Sequence, residues 1–139
     1  MILNNFKSFF NLPFKDKLLL IEAVLFLFTA KVLLLILPFK YFTRPFSGKM
    51  HSDNGLDINY LSAIKLAIGR ANRLAWWKNV CLVQSFAARW MLQRRKVKST
   101  LSMGVKFDKH QKLIAHAWLN VADFEVVSKD GDYEILYTF

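Results

Sequence analysis

The chain has one cysteine, Cys81, among its 139 residues, so no internal disulfide can form and a reducing cytosol fits the composition. A zinc site is excluded too, because this cysteine and three scattered histidines (His51, His110, His116) show none of the paired spacings of such a site. The sequence also contains no P-loop and no dinucleotide-binding fingerprint. We therefore expect a cytoplasmic protein that uses no metal or other cofactor.

Acidic residues are scarce, since ten Asp and Glu stand against twenty Lys and Arg and leave a net charge of +10. Such a surplus favours an acidic partner: an acidic peptide, a protein with an acidic face, nucleic acid or anionic lipid. Nucleic acid is the weakest of these, because no binding motif is present and the aromatic residues do not alternate with basic residues in one stripe. With 54% hydrophobic residues and the length of about one domain, the chain is far from disorder.

The most hydrophobic stretch, residues 17–39 ("KLLLIEAVLFLFTAKVLLLILPF"), has the length of a membrane span. Two charges argue against a span, because Glu22 and Lys31 project from opposite sides of a helix and each would cost roughly 2.5–3.5 kcal/mol near the bilayer centre. No small-residue cleavage site follows the run, which argues against a signal peptide. We expect a long helix between Pro13 and Pro38, packed against the rest of the protein or a partner; an interfacial helix and a true span stay open as alternatives.

Two more helices are predicted before residue 98. The first begins at an Asp57 N-cap and places apolar residues at helical three-four spacing: Ile58, Leu61, Ile64, Ile68, Ala71 and Leu74. The second begins at an Asn79 N-cap, which puts Cys81 in its first turn, and it carries two adjacent stripes that share Ser85. The basic residues 94–96 at its other end complement the helix dipole, and we expect them to be solvated.

Beyond residue 98 the period of the apolar residues changes from 3.6 to 2. The segments "STLSMGVKF", "LIAHAWLNV", "FEVVS" and "YEILYTF" predict the four strands of an antiparallel meander, joined by turns at "DKHQK", "AD" and "DGD". The predicted fold class is therefore α+β, with N-terminal helices followed by a cysteine-bearing helix that packs on an antiparallel sheet. We divide the chain into a helical N-terminal region, residues 1–75, and a core, residues 76–139.

Cys81 and His116 are the residues that could carry chemistry. A thiol needs help to act as a nucleophile near pH 7, and a helix N-terminus and a nearby histidine both favour its thiolate. Cys81 has the first of these by its predicted position, and His116, on a predicted strand with Trp118 and Asn120 on the same face, could supply the second. A structural cysteine in a core and a structural strand histidine are the alternative.

The segments "CLVQSFAARWMLQRR", "LSMGVKF" and "AHAWLNV", followed by "EVV" and a Tyr-Thr-Phe ending, resemble the C-terminal catalytic domain of lasso-peptide maturation proteases. These leader-removing B proteins are a branch of the transglutaminase-like, papain-like cysteine fold. The first half of the chain is similar to the helical lead-in of stand-alone members, whose leader-recognition domain is a separate protein. The resemblance covers nearly the whole chain.

The resemblance implies a cysteine peptidase that cuts a ribosomally made precursor between leader and core and frees the N-terminal amine of the core. Its expected partners are the leader peptide, a separate leader-recognition protein and an asparagine-synthetase-like cyclase, which activates a core carboxylate with ATP and closes the ring. The family typically reads a threonine at the penultimate position of the leader. A non-catalytic adaptor of the same fold is the alternative, and a basic module that binds membrane surfaces or nucleic acid is a third.

The resemblance also implies residue roles, with Cys81 as the nucleophile and His116 as the base. The third member, usually an aspartate about twelve residues after the histidine, falls here on Ser128. Because its work is to orient the imidazole, a hydroxyl or a carbonyl can do part of it. For the oxyanion we take the backbone N–H of Cys81 as the default donor.

The register of the last hairpin selects among the nearby aspartates. A two-residue turn at residues 122–123 puts the residue before Asp130 opposite His116, whereas a three-residue loop brings Asp130 itself opposite the histidine. We therefore take Asp130 as the third catalytic residue, ahead of Asp132 and Asp123. Aspartates that serve only their loops are the alternative for all three.

Overall fold

The computed structural model describes residues 10–41, 57–75 and 81–139. Its helices are α1 (Phe14–Ile36), α2 (Ile58–Leu74) and α3 (Cys81–Arg94), with a 3-10 turn at Phe39–Tyr41. Its strands are β1 (Thr100–Phe107), β2 (Leu113–Val121), β3 (Phe124–Val127) and β4 (Glu134–Thr138). The predicted class is confirmed, because α3, which bears the cysteine, packs on an antiparallel sheet in an α+β fold. The division at residue 75 stays a prediction, since residues 76–80 lie outside the described part of the chain.

Local sequence signals set the ends of α1 and α2. Pro13 caps α1, and Leu37 ends it in an extended conformation (φ −102°, ψ 141°), which is the conformation that a residue before a proline prefers. The Asp57 carboxylate accepts a hydrogen bond from the backbone N–H of Asn59 at 2.9 Å, as an N-cap should. The predicted Asn79 cap of α3 lies outside the described residues.

Helix α1 packs against α2 and α3 and buries one face in the common core: Leu19, Leu20, Ala23, Leu27 and Ala30. Among the described residues it is the one helix long and apolar enough to cross a membrane, with a mean hydropathy of 2.5 over its most apolar window. Length and composition alone support that statement, and the core helix of a soluble protein meets the same criterion. In the structure α1 packs against the other two helices, which is the arrangement that the sequence favours over an interfacial helix or a span.

A charged cluster ties the three helices together through Arg95. Its guanidinium donates two hydrogen bonds to the Glu22 carboxylate, at 2.7 and 2.6 Å, and Arg94 Nε lies 3.2 Å from the same group. Arg95 also donates to the Tyr60 hydroxyl and to the Met91 carbonyl. The hydrogen bond to Glu22 raises the pKa of Arg95, against the opposing effect of burial. The expectation of a solvated basic helix end is therefore wrong for Arg95.

Helix α3 lies at the centre of the fold and is buried on most of its circumference: Val83, Ser85, Phe86, Ala87, Ala88, Met91 and Leu92. The two stripes predicted from the sequence are too narrow, because α3 packs against α1, α2, β2 and β3. The Ser85 hydroxyl donates to the Ala117 carbonyl of β2 at 3.2 Å, and Arg89 donates to the Phe139 carbonyl at 2.6 Å. Burial lowers the pKa of Arg89. These contacts fix the position of α3 on the sheet, the first at β2 and the second at the C-terminal residue, which pairs with β1.

The strand order is β3-β2-β1-β4, and each neighbouring pair is antiparallel. The first three strands form the predicted meander, but β4 pairs with β1 at the opposite edge instead of with β3. Residues 128–133 must therefore cross β2 and β1. They cross close to the paired residues His116 and Gly104. The evidence is that a Cβ atom added to Gly104 would lie 3.0 Å from the Tyr133 side chain.

We predict that Gly104→Ala destabilises the protein by about 1–3 kcal/mol, because the added methyl group overpacks this crossing. Its Cβ would lie 2.6 Å from the Glu134 carbonyl oxygen and 3.0 Å from Trp118 and Tyr133, and a backbone oxygen cannot rotate away. Gly69→Ala is the matched control: its Cβ meets nothing within 4 Å, so the exchange should stabilise α2 by about 0.5–1 kcal/mol. Urea unfolding of both variants measures the difference, and equal stability of Gly104→Ala and the parent would contradict the prediction.

Candidate active site

A cleft of about 260 Å³ opens where α2, the first turn of α3, β2 and the end of β3 meet. Its lining includes Cys81 and Gln84 from α3, His116 from β2, and Ser128 and Asp130 beyond β3. The wall on the α2 side is formed by Lys65, Ile68 and Gly69. The structure therefore brings the predicted nucleophile, the predicted base and the preferred third residue to one cleft.

The half-buried imidazole of His116 is fixed by a backbone group. Its Nε2 lies 2.8 Å from the carbonyl oxygen of Ser128. Since a carbonyl oxygen only accepts hydrogen bonds, Nε2 carries the hydrogen and donates it. The neutral ring then has its lone pair on Nδ1, which is the nitrogen able to take a proton from a thiol.

Two aromatic rings lie beside the imidazole. The Tyr133 ring centroid lies 5.1 Å from that of His116, and the Trp118 ring lies 6.2 Å away at an interplanar angle of 19°. Lys106 Nζ and Lys129 Nζ lie over the Tyr133 and Trp118 rings, at 4.3 and 5.3 Å. Sequence reasoning gave Tyr133 no role, because its contact with His116 depends on the strand order.

A β-bulge sets the register beside His116. Val121 pairs with Phe124 across the predicted two-residue turn, and Asn120 pairs with Glu125, but Leu119 then pairs with Val127. One extra residue of β3 is therefore accommodated in the bulge. The pairs of β2 with β3 end at Leu119 and Val127, and none of them places Asp130 opposite His116. The three-residue loop that favoured Asp130 is therefore wrong, and the shift in register lies in the bulge instead.

Of the three candidate aspartates, Asp130 is the one that lines the cleft. All three are exposed; Asp123 lies in the β2–β3 turn and Asp132 before β4. Asp130 has a positive φ of 51°, and within the described residues no hydrogen bond joins its carboxylate to His116. The acceptor at Nε2 is instead the Ser128 carbonyl, a substitute that the sequence analysis allowed. The catalytic role of Asp130 stays a prediction.

The first turn of α3 offers two groups to a substrate. Cys81 has a half-buried free thiol. Because it is the first residue of the helix, it lies among the backbone N–H groups that have no partner within the helix. Gln84 follows one turn later on the same face and also lines the cleft. Its amide N–H could donate to a developing oxyanion, in addition to the backbone N–H groups. Sequence reasoning missed Gln84, although its spacing of three from the cysteine was a usable signal.

The family model described as the transglutaminase-like superfamily matches residues 24–137, and the chain therefore belongs to this superfamily. The superfamily contains cysteine-dependent enzymes, cysteine peptidases among them. The matched region includes both Cys81 and His116. No curated protein and no solved structure matches the chain.

We predict that Asp130→Asn lowers the catalytic rate more than Asp123→Asn or Asp132→Asn, but less than His116→Ala. Asp130 alone of the three lines the cleft, yet the Ser128 carbonyl already orients the imidazole. Single-turnover rates of the variants on one peptide measure the order. Equal rates in all three Asn variants would remove Asp130 from the site.

Ser128→Ala separates the hydroxyl of this residue from its carbonyl. The exchange keeps the backbone oxygen that contacts His116 but removes the hydroxyl that accepts a hydrogen bond from Lys65, so we predict that the rate falls by about tenfold, less than in His116→Ala. A loss as large as that of His116→Ala would show that the hydroxyl, and not the carbonyl, is the third member.

Proposed function

We propose that this protein is a cysteine peptidase that removes the leader from a ribosomally made precursor during lasso-peptide maturation. The observation that carries the proposal is one cleft lined by Cys81 and His116, with Nε2 of the histidine held by the Ser128 carbonyl. Membership of the transglutaminase-like superfamily supports a cysteine-dependent enzyme. The resemblance of "CLVQSFAARWMLQRR" and "AHAWLNV" to leader-removing proteases supports the finer assignment.

In the proposed mechanism, Nδ1 of His116 takes the proton of the Cys81 thiol, and the thiolate attacks the carbonyl carbon of the scissile peptide bond. Backbone N–H groups of α3 and the Gln84 amide stabilise the oxyanion. The imidazolium then protonates the leaving amine, which becomes the free N-terminus of the core. Water, deprotonated by His116, hydrolyses the thioester and releases the leader with a free carboxylate.

The proposed partners follow from this role. The leader peptide is the bound part of the substrate, and a separate leader-recognition protein supplies affinity for it. An asparagine-synthetase-like cyclase would consume the released core, because ring closure needs the free amine that cleavage produces. A non-catalytic adaptor that presents the precursor to the cyclase is the second candidate; it needs the same cleft but no reactive thiol.

We predict that Cys81→Ala abolishes cleavage of the precursor peptide encoded beside this protein in the genome. The exchange should change the free energy of unfolding by no more than about 1–2 kcal/mol. His116→Ala should also abolish cleavage, and the double variant should be no slower than either single variant, because the two side chains act as a unit. Mass spectrometry of the precursor, incubated with and without the recognition protein, measures the products.

Two outcomes would contradict this proposal. Cleavage by Cys81→Ala at a rate near that of the parent would exclude the peptidase. Alkylation of Cys81 by iodoacetamide no faster than that of a free cysteine would favour the adaptor. Because the chain has no other cysteine, total thiol labelling reports this residue alone.

The N-terminal half is the proposed docking surface for the recognition protein or the leader. Large apolar side chains of α1 are exposed on the face turned away from the core: Phe14, Leu18, Ile21, Leu25, Phe28 and Leu35. Tyr41 is 48% exposed in the turn that follows, with Lys40 Nζ 5.4 Å from the centroid of its ring. From the sequence we also assign Phe39, Phe42 and Arg44 to this surface, but Phe42, Arg44 and the side chain of Phe39 lie outside the described parts of the structure.

We predict that neutralising Lys40 and Arg44 weakens binding of the purified recognition protein most at low salt, because these charges mainly speed encounter. Truncating Phe39, Tyr41 and Phe42 to alanine should raise the off-rate at any salt concentration. Surface plasmon resonance at two ionic strengths measures both effects, with Lys109→Gln as the charge control. If neither set alters binding, and deletion of residues 17–39 releases the protein from membranes, α1 is a membrane anchor instead.

A further inference from the structure

Lys65 of α2 lines the cleft, and its side chain contacts the backbone segment at the end of β3. Its ammonium group donates a hydrogen bond to the Glu125 carbonyl at 2.9 Å and another to the Ser128 hydroxyl at 3.3 Å. The two acceptors lie 60 and 63 positions further along the chain. One cation therefore joins α2 to two points of a short backbone segment.

These two points bracket the β-bulge. Glu125 pairs with Asn120 before the shift in register, Val127 pairs with Leu119 after it, and Ser128 is the first residue beyond the strand. A bulge interrupts the ladder locally and lets the bulged strand bend. The position of the Ser128 carbonyl is therefore not set by ladder hydrogen bonds and depends on contacts from outside the sheet.

We propose that Lys65 is a positioning residue of the active site. By tying Glu125 to Ser128 across the bulge, it holds the Ser128 carbonyl 2.8 Å from His116 Nε2 and so holds the imidazole in its productive orientation. Hydrogen bonds from an ammonium group are stronger than those from a neutral donor, which suits this bracing role. The inference rests on the proposed peptidase function but concerns a different residue.

Lys65 also lines the cleft, so direct contact with a substrate carboxylate is the competing role. The geometry favours bracing, because two of its three N–H donors already have acceptors within the protein. The two roles differ in kinetics. A brace that orients the base alters kcat, whereas a group that only binds the substrate alters KM.

The test compares Lys65→Met with the control Lys109→Met, which removes the same charge from an exposed turn. Lys65 is itself exposed, so both variants should fold, and their melting temperatures check this. We expect Lys65→Met to lower kcat about 10- to 100-fold, as misplacement of a catalytic group does, with KM unchanged. The rate of Cys81 alkylation by iodoacetamide should fall as well, and the control should match the parent in every measurement.

A spectroscopic readout separates this inference from the proposed function. In protein labelled with ¹⁵N-histidine, the hydrogen-bonded Nε2–H of His116 should give a slowly exchanging proton signal, assigned by its loss in His116→Ala. We expect Lys65→Met to weaken that signal, whether or not any peptide is cleaved. An unchanged signal, or a rise in KM with kcat unchanged, would overturn the positioning role. Absence of cleavage in the parent together with a weakened signal would overturn the peptidase and leave the brace in place.

Discussion

The site depends on where the chain goes after β3. Because β4 pairs with β1 and not with β3, residues 128–133 must cross the two central strands, and they do so beside His116. The Ser128 carbonyl and the Tyr133 ring meet the imidazole for this reason. In a simple meander β4 would pair with β3 at the edge of the sheet, and the chain after β3 would not pass His116. The absence of a side chain at Gly104, which pairs with His116, leaves room for the crossing.

The helical half supplies the rigid frame for the other reactive group. Helix α3 is buried between α1, α2 and the sheet, so Cys81 at its first residue is held by the core of the whole protein. The partly buried guanidinium of Arg95 is compensated by Glu22, the carboxylate that made the apolar α1 a poor membrane span. One ion pair thus accounts both for the charge within the hydrophobic run and for the attachment of α1 to α3.

Sequence reasoning succeeded where the physical cause is local. The Asp57 cap and the stop before Pro38 each depend on neighbours within four positions, and both are observed. It failed where partners are distant along the chain. Arg95 meets Glu22 across 73 positions, and neither the strand order nor the bulge has a signature in the period of the apolar residues. For the same reason Cys81, His116 and Asp130, which line the cleft, could be named from the sequence, but the contacts of His116 could not.

A neutral carbonyl at Nε2 is consistent with a cysteine nucleophile. In a serine enzyme the histidine becomes a cation beside a neutral hydroxyl reactant, and a buried aspartate stabilises that charge. When a thiol transfers its proton, the thiolate left behind is itself the counter-ion of the imidazolium. The third group then needs only to orient the ring, which the asparagine of papain-like proteases does without charge. The contact between Ser128 and His116 meets that requirement.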